Sequence, residues 1–292
     1  MKNLTVLKEF YPFEKFAAAI EYNFLHLDMK QSLLLFLFSW IWFGNTNAQE
    51  IKILTYNIFH GESPDKPGTP NLEKISDLFV LMQPEVIALQ EVDSLTGRYL
   101  SIYPDSLDLI KRMIRDTGYR GYFAKAMDFD GGAYGEGLLV KKGSQYHTQK
   151  LPNPAGGEPR AAAWVKAELK TLEEFYFGGT HLCHEFEANR IAQVDSLFTY
   201  AETLNKPVIL AGDFNFTPDS PEYSRIPSHW KEAGAEAGNT QHTYGTAESG
   251  ARIDYIWYDS RKFELVEYKV LDLPYSDHYP VWAVLRMKKE NP

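Results

Sequence analysis

Apolar and polar positions change period repeatedly along this chain. Ile51–Tyr56 alternates and is rich in β-branched residues, which predicts a strand. Over Asn71–Met82 the apolar residues Leu72, Ile75, Leu78, Phe79 and Met82 recur at helical spacing, and Pro84 ends the run. Val86–Gln90 reads as a buried strand, and Ser106–Asp116 as a second helix stopped by Gly118. Tyr119–Ala126 and Gly137–Lys142 predict strands around a glycine-rich stretch, Asp130–Gly137. Ala161–Leu169 and Glu174–His181 predict a hairpin pair. Glu187–Leu204 predicts a longer helix, and Pro207–Ala211 a short buried strand. Ile253–Asp259, Lys262–Leu271 and His278–Met287 close the chain as strands. Helices interspersed between groups of strands predict α+β layering rather than strict βαβ repetition.

Chemistry-bearing residues fall where these apolar runs end. Asn57 ends the first strand, Glu91 follows the second, and His181 ends the Glu174–His181 strand. Asp213 and Asn215 follow PVILAG, Asp254 lies in the β-rich run RIDYIWY, and Asp277 and His278 open the last. One such residue alone reads as a turn former. Six placements converge on a single picture, because sites in layered proteins form where strand ends meet. Clustered carboxylates repel unless a cation joins them, and oxygen donors without cysteine favour Mg²⁺, Mn²⁺ or Ca²⁺ over zinc. Cys183 is the only cysteine, which excludes an intramolecular disulfide and a cysteine-based zinc site.

Composition changes the picture at the N-terminus. Residues 32–43, SLLLFLFSWIWF, form an apolar run too short for a comfortable membrane span. Met29 and Lys30 precede it, and Thr46-Asn47-Ala48 follows with small residues at a cleavage position. Residues 1–48 therefore read as a leader with a secretory signal peptide, translation starting at Met29. Residues 49–292 read as one domain of an exported protein, periplasmic or extracellular. The formal net charge is -9. Lysines and acidic residues balance within 1–48, so the excess belongs to the remainder. Such a surface does not attract a polyanion as a whole, which disfavours nucleic acid without excluding it.

The blocks TYN at 55–57, LQE at 89–91, GTHL at 179–182, GDFN at 212–215, RIDYI at 252–256 and SDHYPV at 276–281 resemble the endonuclease/exonuclease/phosphatase superfamily, the deoxyribonuclease I-like fold. They occur in the family's order and cover nearly all of the chain after the leader. The resemblance implies a four-layer α/β/β/α sandwich of two packed mixed sheets. It implies a Mg²⁺-dependent phosphoric ester hydrolase, with Asn57, Glu91 and Asp277 as metal ligands. By the same resemblance, Asp213 and Asn215 position and activate water. His278 binds a phosphoryl oxygen with its tautomer set by Asp254, and His181 bonds the phosphate or protonates the leaving group. Glu136 matches a glutamate that partners this histidine in the deoxyribonuclease branch. Phe59 stands where some relatives carry an acidic residue, which favours a site centred on one metal.

Arg190, Arg252 and Glu136 are the candidates for substrate contact. A solvated helix face for Arg190 and an ion pair for Arg252 are the competing readings. His184 and the QHTYG segment, with His242, Thr243 and Tyr244, are further candidates for the cleft wall. Nuclease, sphingomyelinase-like and sugar- or inositol-phosphate activities all fit the sequence. So does a phosphate-binding protein that keeps the fold without catalysis. No obligate protein partner is indicated, and a monomer is expected.

Overall fold

The alternating run after residue 50 becomes strand β1, Glu50–Asn57, in the computed structural model, which describes residues 50–104, 108–246 and 249–289. The expected leader and the first residues of the helix expected from Ser106 lie outside the described residues. Among the described residues, no helix is long and apolar enough to cross a membrane.

Helix α1, Leu72–Met82, forms where the helical spacing predicted it and ends at Gln83 in a left-handed conformation. Strand β2, Val86–Ser94, runs past the expected end at Gln90. A short helix α2, Gly97–Ile102, is capped by the Thr96 side chain. Helix α3, Leu109–Thr117, is capped by Asp108, whose carboxylate accepts from the Lys111 N–H, and closes at left-handed Gly118. Strands β3, Arg120–Phe129, and β4, Gly132–Val140, form a hairpin. Its turn takes up only the start of the glycine-rich stretch. The later glycines lie inside β4, because a Cβ on Gly135 would stand 2.1 Å from the Ala124 carbonyl oxygen.

Strands β5, Gly143–Lys150, β6, Ala161–Glu168, and β7, Glu174–His181, pair antiparallel in order. Helix α4, Glu187–Thr203, leads into β8, Val208–Asp213. Helices α5, Pro221–Arg225, and α6, Ala233–Glu236, flank the short strand β9, Trp230–Glu232. Strands β10, Asp254–Asp259, β11, Phe263–Val270, and β12, Val281–Met287, complete the chain.

Among the described residues, twelve strands make two six-stranded sheets, ordered β11-β12-β1-β2-β4-β3 and β5-β6-β7-β8-β10-β9. Each has one parallel pair at its centre, β1 with β2 and β7 with β8. Between the sheets lies a core that includes Ile53, Ala88, Leu138, Val165, Phe177 and Ile256. On the outer face of the first sheet, Leu54, Leu89 and Leu139 pack with Ile75, Phe79 and Met113 of α1 and α3. On the outer face of the second, Trp164, Leu210 and Trp257 pack with Val194, Leu197 and Phe198. The result is the expected α/β/β/α sandwich, with each helical layer covering one apolar sheet face.

Candidate active site

The two parallel pairs carry the candidate residues. Parallel neighbours end side by side, so the end of β1 lies at the level of β2, Asn57 opposite Gln90. In the second sheet His181 stands opposite Asp213, and the antiparallel strand β10 places Asp254 opposite Asp213 from the other side. A bulge breaks the register of β2 between Leu89 and Val92, and Glu91 sits in it with φ of 58°. The bulge turns a carboxylate out of the pleat, as such irregularities do beside active sites. Gly212 precedes Asp213 because a Cβ there would lie 2.0 Å from the Thr180 carbonyl oxygen. Thr243 Oγ1 accepts hydrogen bonds of 3.0 Å from the backbone N–H of both Ile253 and Asp254, which fixes where β10 starts.

These side chains form one hydrogen-bonded cluster. Asn57 Nδ2 lies 3.2 Å from Glu91 Oε1, 3.2 Å from Asp213 Oδ2 and 3.3 Å from His278 Nε2. His278 Nδ1 stands 2.9 Å from Asp254 Oδ2, and its Nε2 3.7 Å from Asp213 Oδ2. Asp213 Oδ1 accepts from the Asn215 backbone N–H at 2.9 Å, and the Asn215 amide donates to the Leu182 carbonyl at 3.0 Å. Ser276 Oγ donates to the Asn57 carbonyl at 2.7 Å and lies 3.2 Å from Asp277 Oδ1. The exposed ring of Tyr244 packs on His278, with centroids 4.7 Å apart.

Burial and pairing set opposite charge states within the cluster. Burial and the charge of Asp254 push the Asp213 carboxyl up to about 7, against the pull of His278. Burial alone would neutralise His278, but the carboxylates of Asp254, Asp213 and Asp277 raise it to about 10. The imidazole is therefore cationic at neutral pH and lies between two carboxylates. Burial pushes Glu91 up, but the nearby His60, the charge of His278 and the hydrogen bond from Asn57 hold it below the ordinary carboxylate range.

The donors on the first sheet fit a hard cation. Glu91 stays ionised, Asn57 offers an amide, and the Asp277 carboxyl is pushed up by burial and by the charge of Glu91, with His278 opposing. A divalent ion relieves that repulsion, and its ligands would all be oxygen. Asp213, Asp254 and His278 also bring one ligand atom each within 4.8 Å of one another. In that set His278 is already hydrogen-bonded to Asp254, so a proton occupies the space an ion would take.

The structure thus joins Asn57, Glu91, His181, Asp213, Asn215, Asp254, Asp277 and His278. It gives the three substrate-contact candidates other surroundings. Arg190 Nε is 2.6 Å from the Glu222 carboxylate, on fully buried Glu222. Arg252 is paired with buried Glu232. Both ion pairs satisfy carboxylates that the fold has removed from water. Glu136 is fully buried with neither oxygen hydrogen-bonded, and burial raises its carboxyl well above the ordinary range. The expected contact between Glu136 and His181 is replaced by one from Arg160, whose Nη1 lies 3.1 Å from His181 Nδ1.

Arg160 and His60 are the residues that the sequence reading passed over. His60, buried with φ of 44°, places Nε2 2.8 Å from Glu62 Oε2 and Nδ1 3.7 Å from Glu91 Oε2. The available signals were a histidine three residues past Asn57 and an arginine opening the apolar run AAAWV.

Residues 54–278 match the model described as the Endonuclease/Exonuclease/phosphatase family. No curated protein matches this chain. Among solved structures, an endonuclease/exonuclease/phosphatase from Beutenbergia cavernae is 21% identical, with a TM-score of 0.68 over 82% of this chain and 72% of its own. One from Bacteroides vulgatus is 20% identical, with a TM-score of 0.67 over 82% of this chain and 100% of its own. A mannosyl-6-phosphatase from Bacteroides thetaiotaomicron is 20% identical, with a TM-score of 0.64 over 80% of this chain and 99% of its own.

Proposed function

Because the chain belongs to the endonuclease/exonuclease/phosphatase family, we propose that it is an exported, divalent-metal-dependent phosphoesterase, using Mg²⁺, that acts on a small phosphorylated sugar- or inositol-type substrate. The observation that carries this reading is the Asp213–His278–Asp254 array, with Asn57 joining Asp213 to Glu91. A carboxylate raised toward neutrality, a cationic imidazole and a hard-ligand set are what water attack on a phosphoester requires.

Each residue has a task. Asp213 takes the proton of the attacking water, held in place by the Asn215 N–H and by Asn57. His278, cationic and tied to Asp254, stabilises negative charge on a non-bridging oxygen. Asn57, Glu91 and Asp277 would hold the cation. When bound, that cation supplies charge neutralisation at the phosphoryl and leaving oxygens. The proposal of export rests on the apolar run at 32–43 and the small residues after it.

Charge supports the choice of a small substrate. Arg98, Arg190 and Arg252 each pair with a carboxylate that is fully buried, Asp93, Glu222 and Glu232. With a net charge of -9 besides, no cationic track for a polynucleotide is built from them. The mannosyl-6-phosphatase that shares this fold points the same way. The test is hydrolysis by the purified chain, with Mg²⁺ and with chelator. The panel comprises sugar phosphates, inositol phosphates, sphingomyelin, RNA and plasmid DNA. Metal-dependent release of phosphate from the small esters is the expected result. Preferential cleavage of DNA or lipid would overturn the substrate class, and inactivity of a folded sample on every ester would overturn the enzyme.

A further inference from the structure

We propose that Arg160 locks His181 as the neutral tautomer protonated at Nε2, so that His181 acts as a fixed hydrogen-bond donor and never as the acid that protonates the leaving group. This deepens the phosphoesterase reading and rests on it for the catalytic role, but not for the tautomer.

The argument starts from donor chemistry. A guanidinium has five N–H donors and no acceptor. Arg160 Nη1 is 3.1 Å from His181 Nδ1, and both residues are nearly removed from water, at 2% and 4% exposure. A hydrogen bond of that length between them requires the lone pair on Nδ1. The ring's single proton must then sit on Nε2. That atom lies 3.3 Å from Asp213 Oδ2.

An imidazolium would reverse this arrangement. Its Nδ1–H would face an N–H of a buried cation, losing the hydrogen bond and placing two positive charges together. Burial, the charge of Arg160, and the nearby His278 and His184 all push His181 well below its ordinary range. A neutral imidazole can release its remaining proton only by becoming an anion. His181 can therefore give a hydrogen bond to Asp213 or to a phosphoryl oxygen, but it holds no proton to deliver to a leaving alkoxide.

Arg160 itself is held. Its Nη2 lies 3.0 Å from His184 Nδ1 and 3.5 Å from Glu158 Oε2. The backbone carbonyl of Arg160 accepts from the Leu151 N–H at 3.0 Å. The same guanidinium thus reaches His181 at the end of β7 and His184 in the loop beyond it. Arg160 is a positioning residue that acts through these rings.

Two measurements test this on the whole chain. The first is a long-range proton–nitrogen correlation of the histidine side chains in nitrogen-15-labelled protein, assigned by loss of one signal in His181→Gln. The expected spectrum shows His181 with Nε2 protonated and Nδ1 bare from pH 5 to 8. A proton on Nδ1, or an imidazolium within that range, overturns the proposal whether or not any substrate is turned over.

The second compares p-nitrophenyl and alkyl phosphates as substrates for wild type and His181→Ala. A donor to the phosphoryl group is worth the same for both leaving groups, so the loss should be equal within about threefold. A general acid matters for the poor leaving group, where such help is typically ~10²–10⁴-fold. A loss larger by about that factor with the alkyl ester would restore the acid role and overturn the proposal. If wild type hydrolyses neither ester, the phosphoesterase reading fails, and the spectrum still decides the tautomer.

Discussion

Asp213 is buried, yet it has the Asn215 N–H at 2.9 Å and the Asn57 amide at 3.2 Å. These donors stabilise its charge, while burial and Asp254 oppose it and leave the carboxyl at about 7. A base must be deprotonated to act, so kcat/KM should fall as pH drops below about 7 and hold its plateau above it. His278 must stay protonated to stabilise an oxyanion, so the rate should fall again as pH rises through about 10. A pH–rate profile on a small phosphoester checks both limbs; an acid limb near pH 4 would remove Asp213 as the base. The same raised carboxyl has a stability consequence. A folded-state value above the unfolded one means the folded state resists ionisation. The cost appears above the unfolded value near 4, grows with pH, and is complete above about 7. Asp213→Asn removes the charge but keeps an acceptor. It should lower turnover by roughly 10²–10⁴-fold while raising Tm at pH 8 and leaving it nearly unchanged at pH 4. Thermal melts at the two pH values, run beside the assay, test that pairing.

Strand ends hold these residues only because the elements begin and stop at particular places. Thr243 is one such determinant: its buried hydroxyl accepts from two successive N–H groups, on Ile253 and Asp254, before β10 starts. Thr243→Val keeps the volume and leaves both donors unpaired, which costs about 1–3 kcal/mol for each buried orphan. It should also let Asp254 shift from His278, lowering turnover as well as stability. Thr243→Ser should restore both, and urea unfolding with activity assays distinguishes this from a passive turn residue. Elements with one strong period were legible in advance. The Leu72–Met82 helix and the β-rich runs before Asn57 and Asp213 are of that kind, because burial of one face dictates the period. Strand β5, GSQYHTQK, was not legible, because an edge strand with few buried positions needs no apolar alternation. The glycines of β4 hid a strand for a different reason. Gly132 is demanded by the backbone at Ser94 and Leu95 and Gly135 by that of β3 at Ala124, contacts that the local pattern does not carry.

Across the whole molecule, each sheet supplies half of the cluster. Asn57 and Glu91 come from β1 and β2 of one sheet, and His181, Asp213 and Asp254 from β7, β8 and β10 of the other. The order of the sequence blocks announced which residues gather here. It could not announce pairings across the sheets, such as Asn57 with Asp213, or the use of Arg160 rather than Glu136 against His181. Those depend on side-chain reach once the sandwich is closed. The division has an energetic consequence. Without a cation, the mouth of the sandwich holds Glu91, Asp213, Asp254 and Asp277 against one cationic histidine, so folding brings like charges together. A cation that binds only the closed arrangement must stabilise it, by about 2.7 kcal/mol when present at 100 times its Kd. Mg²⁺ should therefore raise Tm in proportion to the logarithm of its concentration above Kd. Glu91→Gln should abolish most of that rise and also lower the metal-free Tm at neutral pH, because the fold holds the Glu91 carboxylate below its ordinary range and so gains stability from its charge. Melting curves over a Mg²⁺ titration of both proteins make the comparison without any substrate. A Mg²⁺ response that survives in Glu91→Gln but disappears in Asp254→Asn would move the cation to the Asp213, Asp254 and His278 set. The hydrogen bond from His278 to Asp254 would then have to break for the metal to enter, and His278 could no longer hold its cationic role.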